Sequence, residues 1–249
     1  MFWLIENKLQ LDKFNNKGYK EAYIEVITSS PTLHPTEADV SLVYIRPLNS
    51  DKGYILPLDH GEAICEINEY IVKSIKQITT LYTWDKKYFY HFYAHKDVID
   101  LSLFPHEFKH HQTKAHEILK QRNKNIKNIN KLIPIVKHYE SCENNYNNLK
   151  NTFNGEVNKF YNNIFPLVFN SIERSGLRVD SQLFEDYFDR SGKSRVHTQY
   201  NYNTTTTRPS NKFGGINYAA LNKENGCRKA FIPENHKFIE SDISAYHLT

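Results

Sequence analysis

Three groups of residues have types and spacings that suggest chemistry. Between Glu117 and Glu140 no acidic residue occurs, yet Lys120, Arg122, Lys124, Lys127, Lys131 and Lys137 all fall there. Each Lys or Arg set against a phosphate displaces condensed counterions, so a polyanion is the natural partner of such a segment. A solvated helical face is the structural alternative. Just upstream, His106-Glu107-Phe108-Lys109-His110 puts two histidines at i and i+4, which on a helix can bind Zn²⁺ with the Glu as base. Pro105 places them in a helix's first turn, no G-x-x-H extension follows and the neighbours are basic, so a chance match is the better reading. Last, Asp242 ends the strand-like run Phe238 to Ile243, where its side chain can emerge at a cleft. A lone Asp ending a strand is usually a turn or cap residue.

The chain that must position these groups has 249 residues, 39% hydrophobic and 14% aromatic, enough to bury a sizeable core, which excludes wholesale disorder. No stretch approaches the roughly 18 uninterrupted apolar residues of a membrane helix. The opening Met-Phe-Trp-Leu-Ile-Glu-Asn-Lys lacks a signal layout, so a cytoplasmic protein is expected. Cys65, Cys142 and Cys227 are odd in number and widely spaced, against a disulfide framework or thiolate zinc site. Charge is uneven: residues 1–100 carry 11 basic and 14 acidic side chains, residues 101–150 carry 9 and 4.

The first hundred residues read as a small α/β unit. Glu21 to Thr28, Val40 to Arg46 and Gly53 to Leu58 are candidate strands bounded by turn residues. Ile64, Ile67, Ile71, Ile75 and Ile78 make one stripe of a helix over Gly61 to Ile78, and Thr80 to Trp84 follows as a strand. This is the opening order of ribonuclease-H-like folds, though many α/β domains share it. Residues 105 to about 190 turn helical, with an apolar stripe at Leu149, Phe153, Val157, Phe160 and Ile164. Pro166 is expected to start a further helix that Ser175-Gly176 stops.

Two passages resemble family A DNA polymerases, the bacterial DNA polymerase I type and its phage relatives. Phe160-Tyr161-x-x-Ile164-x-Pro166-Leu167-Val168, then Ile172-Glu173-Arg174-Ser175-Gly176 and Val179-Asp180, is similar to the family's thumb-to-palm segment. Thr204-x-Thr206-Thr207-Arg208-Pro209-Ser210, Gly214-Gly215-Ile216-Asn217, Arg228-Lys229-Ala230-Phe231 and Asp242-Ile243-Ser244 follow the family's T-x-T-G-R-x-S, its Pro-Asn-Leu-Gln stretch, its R-x-x-F and its D-Y-S in order and spacing. The resemblance covers residues 145 to the end; the first 110 match only loosely.

It implies an α/β plus α architecture: a degenerate 3′–5′ exonuclease-like domain over 1–104, a helical thumb over 105–193 and an incomplete first palm segment over 194–249. Asp242 becomes the first metal-binding aspartate, with the Ile243 carbonyl as a second oxygen for Mg²⁺. Arg208 reaches the primer end along the minor groove, Asn217 contacts sugars and base edges, and Arg228 contacts phosphate or braces the palm. The Lys120, Arg122, Lys124, Lys127, Lys131 run becomes the thumb tip on primer-template DNA. His247 stands where the family has the Glu that helps exclude ribonucleotides, and Thr207 replaces its Gly. The fingers that grip a deoxynucleoside triphosphate and the strand with the second carboxylate have no counterpart here, so the chain is expected to be silent until a complementary C-terminal polymerase chain supplies them. In the exonuclease-like part, Ile24-Glu25-Val26-Ile27 replaces Asp-x-Glu, Phe89 stands where a carboxylate is needed in Trp84-Asp85-Lys86-Lys87-Tyr88-Phe89, and Tyr93-x-x-x-Asp97 arrives too early, so no exonuclease activity is expected. The alternatives are a non-catalytic primer-template clamp and, remotely, a zinc peptidase using His106, Glu107 and His110.

Overall fold

A computed structural model describes residues 1–30, 33–64, 68–103, 133–152, 159–190, 193–202, 204, 209–211 and 216–239. They fall into two compact units: Met1–Arg174 with Tyr200–Ser210, and Ser175–Gln199 with Asn211–Thr249.

The first unit is built on a mixed sheet. Strands β1 (Phe2–Leu4), β2 (Glu21–Thr28), β3 (Val40–Pro47), β4 (Gly53–Pro57), β7 (Thr80–Thr83) and β8 (Val98–Asp100) lie in the order β1-β4-β3-β2-β7-β8. The β2–β3–β4 meander is antiparallel, while β7 runs parallel to β2 and β8 parallel to β7. β2 and β3 are buried almost throughout, because both sheet faces are covered. Ala22, Ile24 and Val26 face a core completed by Leu11 and Phe14 of α1 (Lys8–Asn15), Ile71 and Ile75 of α2 (Asn68–Gln77) and Phe89 of α3 (Lys86–Phe89). Tyr23, Ile27, Tyr44 and Trp84 face the other layer, closed by Ile135, Cys142, Tyr146 and Leu149 of α4 (Ile135–Thr152).

The expected helix over Gly61 to Ile78 is shorter. Asp59–His60 (β5) and Ala63–Ile64 (β6) form an antiparallel hairpin around Gly61-Glu62, and the helix occupies Asn68–Gln77. Its Ile71, Ile75 and Ile78 keep the buried stripe.

Pro166 also departs from expectation: it lies inside α5 (Lys159–Ser175) instead of opening a helix. A proline there has no N–H for the carbonyl four residues back, that of Asn162. The Lys86 ammonium donates to that Asn162 oxygen at 3.0 Å, satisfying the acceptor the proline abandons. α5 ends where expected, at Gly176, whose φ of +60° suits glycine and where a Cβ would stand 2.7 Å from the Val196 carbonyl oxygen.

These units divide the chain differently from the expected domains. α4 and residues 159–174 of α5 fall in the same compact unit as the sheet, so the first unit runs past residue 104. Of the residues expected as a palm segment, 194–199 and 211–249 share a unit with residues 175–193, while 200–210 fall in the first unit.

In the second unit β9 (Leu177–Arg178) pairs with β10 (Arg195–Val196), and α6 (Ser181–Phe188) is capped by Asp180, which accepts from Leu183 N at 3.0 Å. Val179, Phe184 and Ala230 form its core, with Phe188, Val196, Ile216, Tyr218 and Phe231 against them. Phe238 and Ile239, expected in a strand, are 61% and 89% exposed and lie in none.

Candidate functional site

Three carboxylates lie on or beside the sheet of the first unit, and each is committed within the protein. Glu25, midway along β2, faces α4: Tyr23 OH and Asn145 Nδ2, the latter at 2.9 Å, donate to its Oε1, and Cys142 Sγ donates to Oε2 at 3.5 Å. Trp84 Nε1 donates to the Asn145 carbonyl at 3.0 Å, which fixes that helix against the strand end. Asp85 caps α3 by accepting from Tyr88 N at 2.9 Å.

Asp100, at the end of β8, is 0% exposed and has four donors. Ser102 N and Oγ reach Oδ1 at 2.9 and 2.6 Å; Lys86 N and Tyr202 OH reach Oδ2 at 3.1 and 2.9 Å. A carboxylate offers about four acceptor sites, so none is left for a cation. Phe89, standing where the third carboxylate is needed, is a core side chain.

Burial, and after it the charge of Asp85, pushes Asp100 up to about 6 from its ordinary 3.8, against the donors from Ser102 and Tyr202. The folded chain therefore holds this proton more tightly than the unfolded one. Its stabilising effect is full below about 4 and is lost as the pH rises through about 6. Asp100→Asn removes that dependence. Between about pH 6 and pH 4 the wild-type chain should gain on the variant by on the order of 2 kcal/mol, read as the difference between their urea unfolding curves at each pH. A difference that does not move with pH would contradict this.

A second buried polar cluster joins α3 to α5. The carboxylate of Glu173 accepts from Lys87 Nζ, from Tyr200 N at 2.6 Å and pairs with His91 Nε2 at 2.9 Å. Burial alone would raise its pKa; Lys87, His91 and Tyr200 N outweigh burial and hold it below the usual glutamate value. Asn170 Nδ2 ties the same helix to the Lys87 carbonyl at 3.1 Å. Nothing in the spacing of the adjacent lysines at 86 and 87 signals that both are buried.

In the second unit, residues from the two polymerase-like passages meet. Val179 and Phe231 form an antiparallel bridge, Asp180 N donates to the Ala230 carbonyl at 2.9 Å, and Ile232 N donates to the Arg178 carbonyl at 3.1 Å. Arg228 is exposed on the short turn Cys227–Ala230, its Nη2 donating to the Leu221 carbonyl at 3.2 Å. Asn217 is exposed between Ile216 and Tyr218, which both pack on the core. Arg208, Asp242, Ile243 and His247 lie outside the described residues, as do Lys120, Arg122, Lys124, Lys127, Lys131 and the His106 to His110 pattern. Lys137, on the first turn of α4, is described and exposed. Among the described residues no helix is long and apolar enough to cross a membrane. No protein-family model matches the chain, and no curated protein matches it.

Proposed function

We propose that the chain is part of a family A DNA polymerase, in which an exonuclease-like unit serves as scaffold behind the beginning of a palm. The observation that carries this reading is the meeting of Val179-Asp180 with Arg228-Lys229-Ala230-Phe231 across one backbone bridge, although some fifty residues separate them. Passages chosen for resemblance alone have no reason to share a ladder. The antiparallel meander, the helix and the strand parallel to β2 are in keeping with a ribonuclease-H-like unit. The four donors that fill Asp100 support a scaffold without nuclease chemistry.

Phosphoryl transfer requires metal ions that neutralise charge on the attacking and leaving oxygens. In this reading Asp242 and the Ile243 carbonyl hold Mg²⁺, and a complementary chain brings the second carboxylate and the fingers that bind deoxynucleoside triphosphates. Arg208, Asn217 and Arg228 hold the primer-template, and His247 borders the sugar of the incoming nucleotide. The test is to mix the chain with a polypeptide carrying those missing parts. Template-directed, Mg²⁺-dependent primer extension is expected, and its absence from a complex that forms would overturn the proposal.

The acid-free basic run favours a second reading, a DNA clamp without chemistry. Duplex affinity should then fall steeply with salt. Changing Lys120, Arg122, Lys124, Lys127 and Lys131 to Gln should flatten the log–log slope by about four. A flat dependence in the unchanged chain contradicts both the clamp and the basic thumb.

A further inference from the structure

We propose that His34, His91 and Glu173 form a binding site for one zinc-class divalent transition metal, separate from the magnesium site of the polymerase reading. The three come from distant parts of the first unit: His34 from the β2–β3 connection, His91 from the turn after α3, Glu173 from the last turns of α5. One ligand atom from each lies within 4.8 Å of the others. Two imidazoles and a carboxylate suit zinc, cobalt or nickel, whereas magnesium and calcium prefer an all-oxygen set.

The surroundings orient these groups as outer partners orient metal ligands. Lys87 Nζ and Tyr200 N hold Oε1 of Glu173, which leaves Oε2 turned to His91. Thr36 fixes the other histidine, its Oγ1 2.8 Å from His34 Nδ1. The two rings stand edge to face, centroids 5.5 Å apart and planes at 89°. His91 Nδ1 is buried without a hydrogen-bond partner among the described residues. His91 also borders an open cleft of about 430 Å³ with Asp39, Phe92, Tyr93 and Arg174, which gives an ion and its remaining water or anionic ligand a way in.

Zinc bonds of about 2.0–2.1 Å place neighbouring ligand atoms about 3.3 Å apart, so the cluster must draw in on binding. His34, half-buried on a connection rather than in a helix or strand, is the ligand placed to draw in. The ion pair between Lys87 and Glu173 explains the buried charges by itself, but it does not account for a second imidazole brought within 4.8 Å of the first and of the carboxylate.

The test titrates the metal-free full chain with Co²⁺, whose visible d–d bands report nitrogen and oxygen ligands, and then displaces it with Zn²⁺. One cobalt per chain is expected, displaced by zinc and not by millimolar Mg²⁺. His34→Ala should weaken binding by at least about 100-fold, since even outer partners of a ligand are worth about 10–100-fold. Thr36→Val, which only frees the His34 ring, should weaken it by about tenfold or more. Circular dichroism checks that both variants fold. His106→Ala/His110→Ala should bind as the wild type does. Absent stoichiometric binding, an affinity indifferent to His34→Ala and Thr36→Val, or binding lost only in the His106 and His110 variant would each overturn the assignment. None of these readouts depends on polymerase activity.

Discussion

Lys87→Met is expected to cost about 3–5 kcal/mol of unfolding free energy, the range for removing one partner of a buried ion pair. Lys87 and Glu173 are 2% and 1% exposed, so solvent cannot take over the charge that is left. Methionine keeps the volume of the stem and removes only the ammonium, isolating the electrostatic loss from a packing loss. The Tyr200 carbonyl also loses its donor, now 2.8 Å away. Glu173, held ionised mainly by Lys87 against its burial, would then have to protonate or remain charged with less support. Lys87→Met/Glu173→Leu should be more stable than Lys87→Met alone, since taking out both charges leaves neither stranded. Urea unfolding of the two variants checks this, and a cost below about 1 kcal/mol for Lys87→Met would mean the pair is solvated after all.

Asp242→Ala is expected to abolish primer extension in the completed enzyme, by at least about a thousandfold, or on the order of 4 kcal/mol of barrier. In the proposed mechanism its carboxylate holds the catalytic Mg²⁺. Alanine removes that ligand and leaves the phosphate-contacting residues in place, so primer-template affinity should change little while the catalytic rate collapses. Single-turnover extension beside a binding titration separates the two. Extension that survives the substitution would defeat the assignment of Asp242, and with it the polymerase reading.

The central strands were legible because β2 and β3 are covered on both faces, so their sequences are continuous apolar runs. The Ile71, Ile75, Ile78 stripe and the Gly176 stop were legible for equally local reasons. Elements of a few residues were not. β1 and β8 are three residues each, too short to show alternation, and α1 offers only Leu11 and Phe14 as its buried face. The hairpin around Gly61-Glu62 lay hidden because Ile64 extends a helical stripe into residues that pair as strand. Neither the Lys87, His91, Glu173 cluster nor the four donors around Asp100 has a sequence signature, since each is assembled from side chains up to a hundred residues apart.

Pro166 usually marks the place where a helix can swing, since the missing bond leaves its two halves loosely joined. In this protein the vacancy is riveted from outside, by an ammonium carried on the neighbouring α3. Any swing of the helix would strand both the lysine and the carbonyl in a dry interior at once. The proline thus fixes the phase of its helix: only one residue in this stretch has a carbonyl released for that lysine, so sliding by a single position would mismatch the joint. A residue that elsewhere confers pliancy here acts as a key that sets alignment between the layers of the first unit.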